Sequence, residues 1–458
     1  MACFHSLYDL ADFLEPEKTL QKVEIDKLID DRPLSGLQMR VIGLCAFLIF
    51  LDGYDIQTLA VSINWLAPEW HLTRGDFTWS QTSALFGYAL SAALVAGYGD
   101  RWGRRPILIL ATAVMGIGSL GTALSGNVDQ ITFWRFLTGM GFGASVPNAT
   151  AITSEFVPLR RRAKLITLMY ANIALGAVVA GFAAPSIHAA FGWQAVFIVG
   201  GVGPILISVL LWLGLPESVR FLMEKHPEDV RIAAILKRLA PDVDPQNVIL
   251  TRRSGVERQS VLALLAPVYR ARTLLLWLGL VLNLFSLFFL ISWLPTLLSS
   301  SGWSPTASSR GGVMLQIGGI ISGLIMARYV DRGRTVPAMV TAYLVTAASF
   351  GLFLILPSDS NAWWLLLLTI GAGTSGTQFA FNALSAAFYP PLIRSTGVGW
   401  AVGVGRIGAV LGPLFGGYIL AAKLGTPQVL GLLVIPVLLC AVSVMFLPYV
   451  WRQTDRPA

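Results

Sequence analysis

Two aspartates lie three residues apart in the first long apolar segment of the chain, FLIFLDGYDIQTLAV (47–61). On a helix, Asp52 and Asp55 project from the same face, and both fall near the middle of the segment, where an ionised carboxylate is costly. Burial raises the pKa of a carboxylate, and a nearby arginine lowers it. A carboxylate whose arginine partner changes between two states therefore changes its proton affinity, as proton coupling requires. The alternative is a structural ion pair or hydrogen bond between helices.

Two arginines lie in other apolar segments. Arg406 sits in GVGRIGAV, where glycines on both sides leave room around the guanidinium. Because arginine stays charged, it needs a carboxylate nearby, and its planar fork suits bidentate capture of one. Asp52, Asp55 or the carboxylate of a substrate are the candidates, so Arg406 serves either the substrate and proton site or a permanent structural pair. Arg135 lies about one turn inside its own segment, where it either attracts anions or anchors a helix by pairing with an acid.

Amide and aromatic residues in the same kind of segment are suited to hold a flat, partly polar ligand. Gln378 and Asn382 are four residues apart and hence on one helix face, and amides in lipid need partners. The other candidates for the wall of a binding site are Tyr54, Asn283, Trp293 and Phe379. For an aromatic residue the alternative is contact with lipid or packing in the protein core.

The elements that position these residues are predicted to be membrane-spanning helices. Of the 458 residues, 55% are hydrophobic and 13% are charged, which is about half the charged fraction of a soluble domain. Apolar runs of about 20 residues, the length of a spanning helix, predict an all-α membrane protein with twelve such helices. The predicted spans are 40–64, 79–98, 106–126, 131–153, 165–187, 194–214, 273–298, 311–330, 336–356, 362–386, 395–420 and 428–449.

The spans form two groups of six, which predicts two six-helix bundles. Most Lys and Arg residues lie in loops on the side of both termini, so the positive-inside rule makes that side cytoplasmic. The net charge of +8 then reflects membrane topology, and no nucleic acid is expected as a partner. The predicted parts are an N-terminal segment 1–39, a first bundle 40–214, a central loop 215–272, a second bundle 273–450 and a tail 451–458.

A loop motif recurs at equivalent places in the two halves, as AGYGDRWGRRP (96–106) and ARYVDRGRTVP (327–337). Internal repetition of this kind is typical of secondary transporters built from two related bundles. The first copy resembles the loop signature of the major facilitator superfamily, in which this loop is a latch on the cytoplasmic side. The matching residues are Asp100, Arg101, Gly103, Arg104 and Arg105 in the first copy, and Asp331 and Arg332 in the second.

Further stretches resemble one family within that superfamily, the aromatic acid:proton symporters, over nearly the whole chain. They are LDGYD, RFLTGMGFGASVPNATAITSEFVP, LPESVRFL, SWLPTLLSSSG and FYPPLIRSTGVGWAVGVGRIGAVLGP. Members of this family import benzoate-like acids, such as 4-hydroxybenzoate and protocatechuate, into bacteria.

This resemblance implies the twelve-helix major facilitator fold in a bacterial cytoplasmic membrane, and proton-coupled uptake at Asp52 and Asp55. It also implies that helices 1, 4, 7 and 10 line the cavity, and that Glu155 and Arg394 act in gating at the cytoplasmic ends of their helices. We expect a monomer that works without a cofactor, with the proton as coupling ion and a small aromatic carboxylate as substrate.

Several other functions are compatible with parts of the pattern. The substrate is either a hydroxybenzoate-like acid or, alternatively, a ring-fission dicarboxylate or a larger lignin-derived acid. Efflux by antiport is disfavoured, because the Gly-Pro-rich motif of efflux carriers belongs in helix 5 and its nearest match, GAVLGPLFGG, is in helix 11. A receptor that binds without transport is a further alternative. An enzyme is not expected, since the sequence shows no metal cluster, nucleophile elbow or phosphate loop.

Overall fold

The computed structural model describes residues 21–243, 248–251, 261–389, 393–422 and 424–454, and these are mostly helical. Parts of the predicted N-terminal segment, central loop and tail lie outside the described residues. The helices are α1 (Ile25–Asp30), α2 (Gly36–Glu69), α3 (Thr78–Leu94), α4 (Gly99–Trp102), α5 (Arg104–Ala123), α6 (Val128–Phe156), α7 (Leu159–Phe191), α8 (Trp193–Gly214), α9 (Val219–Lys225), α10 (Val230–Leu239), α11 (Pro267–Ser300), α12 (Pro305–Asp331), α13 (Thr335–Leu352), α14 (Ala362–Phe388), α15 (Arg394–Ala421), α16 (Thr426–Leu432) and α17 (Val434–Thr454). Two short strands, β1 (Gln21–Glu24) and β2 (Val248–Thr251), pair in parallel.

The twelve-helix prediction is confirmed: each predicted span matches one long helix, and the last is divided into α16 and α17. In the described part of the chain, nine spans are long and apolar enough to cross a membrane by length and composition alone. The other three are α3, α6 and α14. Helix α3 has 17 residues, α6 carries glycine, serine, threonine, asparagine and proline between Arg135 and Glu155, and α14 is interrupted by threonine, glutamine and asparagine. Of these three helices, α6 and α14 carry residues that were predicted to line the site.

The ends of the helices differ from the predicted bounds for a physical reason. Helix α2 begins at Gly36, ahead of the predicted span, because Ser35 and Gln38 form a reciprocal capping box there. Helix α3 ends at Leu94, before the predicted bound, and the chain continues as a 3₁₀ turn over Ala96–Tyr98. Apolar runs mark the part of a helix that lies in hydrocarbon, and they do not record polar turns beyond it.

Helices at equivalent positions pair with each other in the two bundles. In the first, α2 packs on α7, α3 on α6, and α5 on α8. In the second, the corresponding pairs are α11 with α15, α12 with α14, and α13 with α17. The bundles meet through α2 and α11, α3 and α15, and α7 and α12, which are also equivalent positions. The repeat seen in the loop motif thus extends to the packing of the whole molecule.

Hydrogen bonds between described residues join the two bundles at the end of the molecule that is far from the arginine-rich loop 100–105. We call the end that holds this loop the basic end, and the other the opposite end. At the opposite end, Arg74 donates from Nη1 to Ser300 Oγ at 2.6 Å and from Nη2 to Ser299 Oγ at 2.8 Å. Nearby, Gln81 Nε2 donates to the carbonyl of Ser292 at 2.9 Å. These bonds hold α11 against the start of α3 and close the opposite end.

A small layer at the basic end is attached to the first bundle. Asp30 Oδ1 accepts a hydrogen bond from the backbone N–H of Leu159 at 2.6 Å and so caps the start of α7. Arg32 forms an ion pair with Asp242 at 2.6 Å. The apolar side of this layer packs into the core of the first bundle through Ile25, Ile29, Val219, Leu222, Ile235 and Leu239. The segment before α2 and the region after α8 therefore belong to one packed unit.

The close contact between α2 and α7 generates a stability prediction. A Cβ at Gly53 would collide with the backbone carbonyl of Ile173, whereas a Cβ at Gly43 on the same helix would meet open space. We expect Gly53→Ala to lower the free energy of unfolding by about 1–3 kcal/mol through overpacking, and Gly43→Ala to leave it nearly unchanged. Thermal melting of both variants in the same detergent checks this. Equal melting temperatures would show that α2 and α7 are not in this contact.

Candidate functional site

Residues 52–55 of α2 face three different parts of the structure. Asp52 and Asp55 face the interior and are 3% and 2% exposed, respectively. Gly53 faces α7, and the hydroxyl of Tyr54 donates to the carbonyl of Val196 on α8 at 3.2 Å. Tyr54 therefore packs within the first bundle, and this position provides no support for its predicted contact with substrate.

Asp55 and Arg135 form an ion pair inside the first bundle. Arg135 Nη1 donates to Asp55 Oδ1 at 2.8 Å, and both side chains are almost completely buried. The two charges balance each other and link α2 to α6. For Arg135, this is the helix-anchoring geometry, the second of the two alternatives that the sequence left open.

Asp52 is buried without a direct ionic partner. Its Oδ1 has no hydrogen bond to any described residue, and no ion pair within 4 Å involves Asp52 in the described part of the chain. The charges that act on it electrostatically are those of Arg406, Asp55 and Arg135, with Arg406 as the strongest opposite charge. Because Asp55 and Arg135 compensate each other, Arg406 is the cation left to balance Asp52.

Arg406 reaches across the bundle interface to a tyrosine that the sequence analysis did not identify. Its Nη2 donates to the hydroxyl of Tyr88 on α3 at 2.9 Å, and its Cζ lies 4.0 Å from the centroid of the same ring. The guanidinium thus has a neutral partner through a hydrogen bond and a cation–π contact. Its charge remains available to an anion.

A second tyrosine missed from the sequence lies near the same charges. The hydroxyl of Tyr170 on α7 is 2.8 Å from Thr150 Oγ1 on α6, and Tyr170 is within electrostatic reach of Arg406 and Asp52. Nothing in the sequence sets either tyrosine apart from others in apolar segments. The only available signal was that Arg406 requires polar partners.

The predicted amides of the second bundle form a connected network. Asn283 Nδ2 on α11 donates to Gln378 Oε1 at 2.9 Å, and Gln378 Nε2 donates to Asn382 Oδ1 at 3.3 Å. Behind them, the hydroxyl of Tyr343 on α13 donates to Asn283 Oδ1 at 2.8 Å, and Thr377 Oγ1 lies 2.9 Å from the same tyrosine oxygen. The network runs from a buried tyrosine to an exposed asparagine.

The two aromatic candidates of the second bundle lie in helix packing. Trp293 is fully buried, and its Nε1 donates to the carbonyl of Pro413 at 2.8 Å, which joins α11 to α15. Phe379 is half-buried against the backbone of Gly323 on α12. Neither position supports the predicted contact with substrate.

The latch loop contacts two glutamates, one at the end of α6 and one in the segment before α9. Arg104 Nη2 bonds Asp100 Oδ1 at 3.1 Å, and Arg104 Nη1 pairs with Glu155 at the end of α6. Glu217 was not singled out from the sequence, yet its Oε1 accepts the backbone N–H groups of Arg104 at 2.9 Å and Arg105 at 3.2 Å. The latch therefore holds α5, α6 and the segment before α9 together.

The remaining latch residues are placed as follows. Gly103 has φ of 99°, a left-handed conformation that favours glycine, and it turns the chain into α5. Arg101 lies over the ring of Tyr98 at 5.8 Å. Asp331 and Arg332 are exposed at the end of α12. Arg394 begins α15, and its side chain lies outside the described residues.

The chain is similar to proteins that are named as transporters of aromatic acids. The family model of the Major Facilitator Superfamily matches residues 45–391. A 4-hydroxybenzoate transporter of Pseudomonas putida is 34% identical over 93% of this chain and 96% of its own length. A 3-(3-hydroxyphenyl)propionate transporter of Escherichia coli is 35% identical over 90% and 94%. A gallate transporter of Pseudomonas putida is 30% identical over 92% and 94%.

The chain belongs to the major facilitator superfamily and, within it, to the family of aromatic acid transporters. It is a multi-pass membrane transporter and not an enzyme, as the sequence predicted.

Solved structures of this superfamily share the fold. A bacterial homologue of the human lysosomal transporter Spinster, in an inward-facing and occupied conformation, matches with a TM-score of 0.71 and 17% identity over 93% of this chain and 100% of its own. A D-xylose–proton symporter matches with a TM-score of 0.66 and 16% identity over 89% and 97%.

The two aspartates should differ in their effect on stability. Asp55→Asn leaves Arg135 buried and unpaired, so we expect a loss of about 3–5 kcal/mol, and the double variant Asp55→Asn/Arg135→Gln should recover part of it. Asp52→Asn breaks no direct ion pair, and Arg406 keeps its contacts with Tyr88, so we expect a smaller loss of stability than for Asp55→Asn. Melting temperatures of the three purified variants at neutral pH check this. A loss for Asp52→Asn as large as that for Asp55→Asn would contradict the assigned pairing.

Proposed function

We propose that this transporter imports an aromatic carboxylic acid together with a proton, by alternating access across the bacterial cytoplasmic membrane. The observation that carries the proposal is Asp52, a buried carboxylate without a hydrogen bond to any described residue, beside Arg406 with its neutral partner Tyr88. The basic end and both termini lie in the cytoplasm, because the arginine-rich loops are at that end. The relatives' substrates support an aromatic acid as cargo.

Competition for one guanidinium explains the coupling. In the empty site, Arg406 balances the charge of Asp52. When Arg406 binds the substrate's carboxylate, Asp52 becomes a carboxylate without counter-charge in the membrane interior, which costs about 3 kcal/mol. A proton on Asp52 removes that cost and frees Arg406 for the substrate. Proton and anion therefore favour each other's binding, which is the requirement for symport; an antiporter needs them to exclude each other.

The ion pair between Asp55 and Arg135 sets the stoichiometry. Because Arg135 neutralises Asp55 at 2.8 Å, only Asp52 is left to carry a coupling proton among the carboxylates of this segment. One proton moving with one monoanion transfers no net charge. The pH difference alone then drives uptake, at about 1.4 kcal/mol per pH unit.

The closed opposite end gives the direction of access in this state. Arg74 and Gln81 hold α3 and α11 together there, and Ser309 on α12 donates to the carbonyl of Gly181 on α7 at 2.5 Å. The described hydrogen bonds between the bundles lie at this end or, for Arg406 and Tyr88, near mid-depth. The site thus opens towards the basic end, in an inward-facing state that releases substrate to the cytoplasm.

Uptake into proteoliposomes tests the proposal. Wild-type protein should accumulate labelled 4-hydroxybenzoate when the lumen is alkaline relative to the outside, about tenfold per pH unit. Asp52→Asn should lose this accumulation and still exchange labelled for unlabelled substrate at equal pH, because Arg406 stays free to bind it. Accumulation by Asp52→Asn like that of wild type would place the coupling proton elsewhere, and no uptake of any aromatic acid by folded wild type would refute the proposal.

The response to membrane potential tests the stoichiometry. A potassium diffusion potential, negative inside, should leave the pH-driven accumulation by wild-type protein unchanged, because no net charge moves. A second proton would add about 2.3 kcal/mol per 100 mV, roughly a fiftyfold rise. The measurement is the steady-state ratio of substrate inside and outside, with and without valinomycin. A rise of that size would contradict the assignment of Asp55 to a permanent ion pair.

A further inference from the structure

A network of five polar side chains in the second bundle ends on the surface of α14. Asn283, Tyr343 and Thr377 are buried, Gln378 is half-buried and Asn382 is exposed. We call the chain Asn283–Gln378–Asn382 the amide ladder. It is separate from the four charged residues and from the latch.

Two hydroxyls at the buried end of the amide ladder face the oxygen of Asn283. Thr377 Oγ1 lies 3.1 Å from Asn283 Oδ1 and 2.9 Å from the hydroxyl oxygen of Tyr343. The hydroxyl of Tyr343 donates to Asn283 Oδ1 at 2.8 Å, so the amide of Asn283 turns its Nδ2 outward. That nitrogen donates to Gln378 Oε1 at 2.9 Å, and the acceptor atom of each amide is thereby used on the buried side.

The exposed end of the amide ladder consequently presents hydrogen-bond donors. Gln378 Nε2 donates to Asn382 Oδ1 at 3.3 Å, which leaves Asn382 Nδ2 with no acceptor among the described residues. An amide that faced lipid would leave this donor unsatisfied at a high cost, so an aqueous cavity or a ligand is its expected neighbour.

The amide ladder lies between the depth of Arg406 and the basic end. At 1.5 Å per residue, Asn382 and Gln378 are roughly 9 and 15 Å from the basic end of α14, and Arg406 is roughly 18 Å from the basic end of α15. The two helices pack against each other. A ligand whose carboxylate binds Arg406 therefore has the amide ladder on a neighbouring helix of the same bundle.

We propose that the N–H groups at the end of the amide ladder select aromatic acids whose ring carries a hydrogen-bond acceptor oxygen. This inference rests on the proposed function and deepens it, since it names the ring substituent that the site recognises. Hydroxyl and ether oxygens on the ring accept from Asn382 and Gln378, whereas an amino group, which mainly donates, does not. Tyr343 and Thr377 are positioning residues, because they act only by fixing the orientation of Asn283.

Equilibrium binding to the full-length protein in nanodiscs tests this selection. The ligands are benzoate and its hydroxy, methoxy and amino derivatives, each substituted at ring position 3 or 4. For wild type, the tighter-binding isomer of the hydroxy and of the methoxy compounds should bind about three- to tenfold tighter than benzoate. The amino compounds should bind no tighter than benzoate. Wild type that prefers amino over methoxy compounds would overturn the proposal, because the amide ladder would then point the other way.

Variants of Asn382 separate recognition from a structural role. Asn382→Leu should reduce the affinity for methoxy and hydroxy compounds to that for benzoate and change benzoate binding less than about twofold. Asn382→Asp replaces the amide with a carboxylate, which accepts hydrogen bonds and donates none. The amino compounds should then bind more tightly than the methoxy compounds. Asn172→Leu is the matched control, because the amide of Asn172 donates to Leu168 and Met169 within its own helix. An equal loss of affinity for all ligands in Asn382→Leu would contradict the selection.

The two proposals fail in different ways in this experiment. If benzoate binds and the derivatives do not differ, the ring-selection proposal is wrong and the proposed function stands. If folded wild type binds none of the aromatic acids, both are wrong.

Discussion

Charge balance in a region of low dielectric is the constraint on which the rest of this transporter depends. Four ionisable side chains, Asp52, Asp55, Arg135 and Arg406, lie inside the two bundles, where a charge without a partner is costly. One ion pair, Asp55 with Arg135, is closed at 2.8 Å. The other two charges are within electrostatic reach of each other but do not form a direct pair. These four charges sum to zero, so a bound anion would leave the site with one uncompensated negative charge.

The scaffold serves this arrangement through close helix packing. The segment LDGYD sends its two carboxylates inward because Gly53 lets α7 approach and Tyr54 bonds to α8. The contact between Arg406 and Tyr88 spans the bundle interface next to Asp52, so a movement of one bundle against the other would change the surroundings of Asp52. The latch around Arg104 and the layer at the basic end hold the helices of the first bundle together.

The sequence predicted the local features well and the long-range ones poorly. Hydrophobic length predicted twelve spans, and helical periodicity placed Asp52 with Asp55 and Gln378 with Asn382 on shared faces, because these depend on one helix at a time. Which aspartate pairs with Arg135, and that a tyrosine of α3 holds Arg406, depend on how helices rotate against each other. The sequence does not state this rotation.

Proton uptake on substrate binding tests the central claim most directly. Calorimetric titration of the purified protein with 4-hydroxybenzoate, repeated in buffers of different ionisation enthalpy, gives the number of protons taken up per bound anion. We expect one proton for wild type and for Asp129→Asn, which alters an exposed aspartate in the first turn of α6, and none for Asp52→Asn. Substrate binding to wild type without proton uptake, or undiminished uptake by Asp52→Asn, would contradict it.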